Sequence, residues 1–143
     1  MRLKRPFRIK VLEALGSIAD GRIRKEGEKY RVRSSEGDRE YEVWVKGDLA
    51  YSDDNGTKFR HYVGYPIIAV LMMEGRLPFD ERIARSLKGV PWRKLNEELK
   101  NYSAVEDLVI QEAERRGVKR EEIDLFVEKV LNELGRLKLN EPT

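Results

Sequence analysis

The chain contains no cysteine, a single histidine (His61) and a single glutamine (Gln111). The first absence removes disulfides, thiolate metal sites and cysteine nucleophiles. The second removes any metal site made of clustered histidines within one chain. Neither GxxxxGK[ST] nor GxGxxG occurs, so no glycine-rich phosphate cradle is legible. Long apolar runs are missing too. The longest, IIAVLMM at 67–73, is far below the ~20 residues a membrane-spanning helix needs. The opening MRLKRPFRIK lacks the continuous apolar stretch of a secretory signal, so a cytoplasmic location is expected.

What remains is 143 residues, 40% hydrophobic and 38% charged. The apolar share suffices for one domain with its own core, and the charged share well exceeds the usual ~25%. High charge with one glutamine and five asparagines is the compositional habit of heat-adapted proteins. The net charge of +3 is unevenly spread. Residues 1–33 hold 11 basic against 4 acidic side chains, and residues 34–143 hold 18 against 22. A basic end of this kind attracts nucleic acid or an acidic partner.

Periodicity divides the chain. Residues 6–19 read as a helix with Phe7, Val11, Leu15 and Ile18 on one face. From 22 to 63 the period changes to two. A Glu36-Gly37 turn sets Arg33 opposite Glu40, Val32 opposite Tyr41, Arg31 opposite Glu42 and Tyr30 opposite Val43. This register pairs charges on one face and apolar groups on the other. A corner at 46–48 then places Val45 near Leu49 and Val43 near Tyr51. A corner at 54–56 leads into a further strand, TKFRHYV. From Tyr65 the pattern is helical: a nearly all-apolar helix after Pro66, helices after Pro78 and Pro91, one capped by Ser103 and Glu106, and one over 119–136 with Ile123, Val127, Val130, Leu134 and Leu137 as its stripe. The expected fold is therefore α+β: an N-terminal helix, a small antiparallel meander of about four strands, and a helical C-terminal half of about five helices. One domain spans 1–143, divided at 63/64 into a helix-plus-meander part and a helical part.

Tests for chemistry return little. Ser52, Asp53 and His61 contain the residue types of a hydrolytic triad, but neighbours on one hairpin do not supply its geometry. The stretch YSDDNGTKF fails as a calcium loop, since aligning Gly56 with the loop glycine puts Tyr51 and Tyr62 at carboxylate positions. The carboxylate pairs Glu97-Glu98 and Glu121-Glu122 are adjacent on helices and point apart.

Residues 80–99 resemble a helix-turn-helix in Ile83, Ala84, Leu87, Gly89, Val90 and Leu95. They depart from it by the extra Lys88 and by Leu99, which falls one place late where Glu98 stands. The resemblance implies base-reading by Arg93, Lys94 and Asn96, with Arg2, Lys4, Arg5, Arg8 and Lys10 on phosphates. Two core helices cornering at Gly89-Val90-Pro91 account for the same residues.

The expectation is a non-enzymatic binding or assembly module with no cofactor, no metal and no membrane. Its partner would be a protein or a second copy, the latter through Phe126 and Leu131. Nucleic-acid binding by the eight residues above is the alternative, and an enzyme of unrecognised type comes third.

Overall fold

The computed structural model describes residues 1–143. Helix α1 (Arg8–Ala19) runs through the middle of the molecule, with everything from Val11 to Ser17 buried. This is not the single stripe expected from the sequence. Helix α1 packs on the helices at Tyr65–Met73 and Glu81–Ser86 and on the C-terminal helix, so almost every side faces protein. Phe7 lies just outside it and is 52% exposed, where an inward position was expected. Glu13 is buried inside this apolar helix.

Four strands follow as a simple antiparallel meander, β1 (Ile23–Glu26), β2 (Lys29–Arg33), β3 (Glu40–Lys46) and β4 (Leu49–Ser52). The β2–β3 register is the one the alternation dictates: Tyr30 opposite Val43, Arg31 opposite Glu42, Val32 opposite Tyr41 and Arg33 opposite Glu40. Tyr30, Val32 and Val43 point into the core. The charges pair less symmetrically than expected. Arg31 reaches Glu42 at 3.8 Å, but Glu40 is met by Arg24 of β1 at 3.4 Å, and Arg33 makes no ion pair.

The corner after β3 is one residue tighter than expected. Lys46 pairs with Leu49 across Gly47-Asp48, with Gly47 at φ +61°. That conformation suits glycine and the twist of a two-residue hairpin. A one-residue slip exchanges faces. Ala50 and Ser52 therefore point inward, while Tyr51 stacks on Trp44 outside at 5.9 Å.

The expected strand at 57–63 is instead a short helix, α2 (Asn55–Arg60), capped by Asp54, which accepts the Thr57 N–H. The polar cap outcompetes the two-residue alternation. Phe59 ends 66% exposed. Beyond residue 63 the chain forms the expected five helices, α3 (Tyr65–Met73), α4 (Glu81–Ser86), α5 (Trp92–Leu99), α6 (Tyr102–Arg115) and α7 (Arg120–Leu137), so α2 is the one helix added to the expected set. Helix α3 fills the space between α1 and the sheet, and Ile67, Ile68, Val70 and Leu71 are fully buried. Asn101, not Ser103, caps α6 by accepting the Ala104 N–H. In α7, Ile123, Val127, Val130 and Leu134 are buried on the chain's own core. Leu131 is buried as well, and Phe126 is half-buried against the core. No helix is long and apolar enough to cross a membrane.

The two ends of the chain are stitched together. The Leu3 N–H donates to the Leu139 carbonyl at 2.9 Å, and the Glu141 N–H donates to the Met1 carbonyl at 2.8 Å. Asn140 exchanges backbone bonds with Asp48 and Ala50, which covers the free edge of β4. On the other side, Lys4 bonds to His61 and Val63.

Candidate functional site

A cleft of about 580 Å³ opens where α1, the β2–β3 loop, the α2–α3 junction and the α5–α6 link meet. Its volume falls in the roughly 300–1,000 Å³ range of ligand pockets. The floor comes from α1 and α5. Glu13, only 4% exposed, accepts Lys10 Nζ at 3.2 Å and Asn96 Nδ2 at 3.1 Å. A carboxylate at this depth needs partners, and these two supply them. Burial alone would lower the Lys10 pKa, but Glu13 and Tyr102 outweigh it and hold the ammonium charged above its ordinary range.

Arg22 and Tyr65 line the same cleft. The Arg22 side chain is 9% exposed, donates from Nη1 to the Arg33 carbonyl at 2.7 Å, and has Nε 3.5 Å from Asp20 Oδ2. Its guanidinium lies over the Tyr65 ring. Burial drives the Tyr65 hydroxyl well above the ordinary tyrosine range, with Arg22 opposing only in part, so the phenol stays protonated.

Two devices hold the walls. Asp54 is buried and accepts the Ser52 hydroxyl, the Thr57 N–H at 3.1 Å and the Thr57 hydroxyl at 2.9 Å. The Gly64 N–H completes the knot on Thr57 Oγ1. A Cβ at Gly64 would lie 2.5 Å from Asp54 Oδ2, so only glycine closes this junction. Opposite, Arg93 ties α5 to the β2–β3 loop through Asp38 at 2.5 and 2.6 Å, and its backbone N–H donates to Ser35. Hydrogen bonding to Arg93, and secondarily to Ser34, holds the Asp38 carboxyl below its ordinary range.

The mouth is aromatic and basic. Phe7 sits 5.5 Å from Tyr62 and 5.3 Å from Tyr102, ring centre to ring centre. Lys4 lies over Tyr62 and Lys10 over Tyr102. Arg60 and Lys100 are exposed on the lining, and neither makes an ion pair. Beside them His61 (φ 62°) and Lys100 (φ 52°) are left-handed helix ends, a strained conformation for residues with a Cβ. The structure separates the triad-like residues: the Ser52 hydroxyl is bonded to Asp54, and the His61 ring is paired with Glu141.

Of the eight residues assigned to nucleic acid from sequence, Lys10, Arg93 and Asn96 line the cleft and Lys4 stands beside it. The others lie elsewhere. Arg8 is held by Glu106, Asp124 and Glu128 at 3.0, 2.6 and 2.9 Å. Three carboxylates thus occupy the Arg8 guanidinium, which sequence reasoning assigns to phosphates. Burial would lower the Arg8 pKa, but these carboxylates raise it on balance. Arg2 leans on Asn140, and Arg5 and Lys94 are exposed. In the 80–99 corner Ile83, Ala84, Leu87, Val90 and Trp92 are all buried.

Sequence reasoning missed Glu13, Arg22, Tyr65, Trp92, Arg60 and Tyr102 of the lining. Glu13 alone left a trace, as a charge within the apolar run VLEAL. Among the curated proteins and the solved structures compared with this chain, none matches. The family model described as Uncharacterised conserved protein UCP014422 matches residues 3–140, and the chain belongs to that family.

Proposed function

We propose that this chain is a binding module that holds a small anionic molecule in the cleft. The observation behind the reading is where polar satisfaction fails. Four buried side-chain polar atoms make no hydrogen bond, Arg22 Nε (which has only the 3.5 Å ion-pair contact to Asp20), Arg22 Nη2, Trp92 Nε1 and Asn96 Oδ1, and all four belong to residues lining this one cleft. Buried polar groups are ordinarily paired, so such a concentration marks a place that an occupant completes. The four atoms are out of water's reach. An occupant would therefore engage Asn96 and Arg22 by turning the amide and the guanidinium toward itself, while Trp92 Nε1, packed against Gly16 of α1, senses the change in the floor.

Charge favours an anion. Of the five cations lining the cleft, Lys10, Arg22 and Arg93 are paired with Glu13, Asp20 and Asp38, while Arg60 and Lys100 make no ion pair and remain for an occupant. Binding is favoured over catalysis because Lys10 and Tyr65 are both driven upward in pKa. A general base is effective when its pKa lies near the working pH, and these two move away from it. The nucleic-acid reading through Arg8 and Arg93 is disfavoured, since carboxylates already occupy both.

The test is a titration of the ¹⁵N-labelled chain with phosphorylated and carboxylated small molecules, following the Trp92 indole N–H. At least one class of anion should shift that signal saturably and leave the Trp44 indole unmoved. If no anion moves Trp92 at millimolar concentration, the binding reading is wrong.

A further inference from the structure

We infer that the anion is a nucleoside phosphate, an inference that rests on the cleft reading above. A simple anion site needs only converging cations. This cleft adds a ledge of three touching rings, Phe7, Tyr62 and Tyr102, at its mouth. Phe7 and Tyr102 are 52% and 41% exposed. Exposed rings beside a polar cleft are a stacking platform for a flat ligand, since every base has a π-face. Arg60 from α2 and Lys100 from the α5–α6 link enter the same cleft from different elements and have no carboxylate partner, which suits a doubly charged phosphate. Base stacking on rings interleaved with cations holding phosphate is the general chemistry of nucleotide capture. The floor suits the base rather than the phosphate. Once the Asn96 amide turns outward, its oxygen and the protonated Tyr65 hydroxyl give an acceptor and a donor that a base edge can use.

The ligand could be a free mononucleotide or the end of a single strand, and the experiment separates them. The full chain is titrated with adenosine 5′-monophosphate, adenosine, inorganic phosphate, citrate and a six-residue single-stranded oligonucleotide, again following Trp92. The monophosphate should bind at least tenfold tighter than adenosine or phosphate alone. Phe7→Ala should weaken the monophosphate and adenosine by roughly fivefold or more and leave phosphate unchanged. Arg60→Gln with Lys100→Gln should weaken the monophosphate and phosphate and leave adenosine unchanged. All three positions are on the surface, and an unchanged denaturation midpoint shows that the variants fold. Tighter binding of the oligonucleotide assigns a strand end, and equal or weaker binding assigns the free nucleotide. Monophosphate binding indifferent to both variants overturns the inference. A shift with citrate and none with the monophosphate overturns it while leaving the anion-binding reading standing. No shift with any of the five overturns both.

Discussion

Gly16 and Gly135 both lie inside helices, and the same substitution should act on them with opposite signs. Alanine is favoured over glycine in a helix interior by about 0.8–1.0 kcal/mol. At Gly135 an added Cβ meets no atom within 4 Å, so Gly135→Ala should realise that gain. For a chain of this size that corresponds to a rise in Tm of roughly 3–4 °C. At Gly16 the Cβ would stand 2.6 Å from Trp92 Nε1 and 3.2 and 3.3 Å from two carbons of the ring. Trp92 is 3% exposed and cannot swing into solvent. Overfilling of this kind costs about 1–3 kcal/mol, which exceeds the propensity gain. Gly16→Ala should therefore destabilise by about 1 kcal/mol on balance. Urea denaturation with unchanged slope measures both variants. If Gly16→Ala gains as much as Gly135→Ala, Trp92 does not rest on α1 as described, and the cleft floor built on that contact is wrong.

Leu71→Ala should cost roughly 2–5 kcal/mol, since Leu71 is fully buried between α1 and the sheet; a loss under half a kilocalorie would remove α3 from the centre of the core. Gly64→Ala should cost about 2 kcal/mol or more by pushing into Asp54 and Thr57, and a neutral effect on the denaturation midpoint would refute the packing assigned to that junction. The Asp38 carboxyl, held low by Arg93, stabilises the fold above the ordinary aspartate pKa of about 3.9. That contribution is lost as pH falls through the lowered folded value. A carboxyl ¹³C titration should therefore show Asp38 protonating below the ordinary range, and Arg93→Gln should return it upward. An unchanged titration in the variant would show that Arg93 is not the cause.

The sheet was readable because its two faces agree: one β2–β3 register puts Tyr30, Val32 and Val43 inward and Arg31 against Glu42. Helix α3 was readable because apolar residues on all sides have no other destination than a core. Helix α2 was not, because Phe59, His61 and Val63 alternate like a strand while Asp54 settles the outcome through its bond to the Thr57 N–H. The cleft was the least legible part. Lys10 and Asn96 drew attention as cations and base readers. Their shared partner Glu13 lies 83 positions from Asn96, and no local pattern encodes that meeting. Arg8 misled for the same reason, since Glu106, Asp124 and Glu128 reach it from α6 and α7.

The stitching of residues 1–4 to residues 139–141 also sets an order of events during synthesis. Lys4 can find His61 and Val63 once the chain through residue 63 has left the ribosome, but Leu3 must wait for Leu139. At about 5–20 residues per second that wait is on the order of ten seconds. Until Asn140 arrives, β4 carries an unpaired edge whose backbone groups at Asp48 and Ala50 are open to other strands. The nascent chain therefore passes through an interval in which its sheet is complete but unsealed, and residues 139–141 act as the latch that ends it.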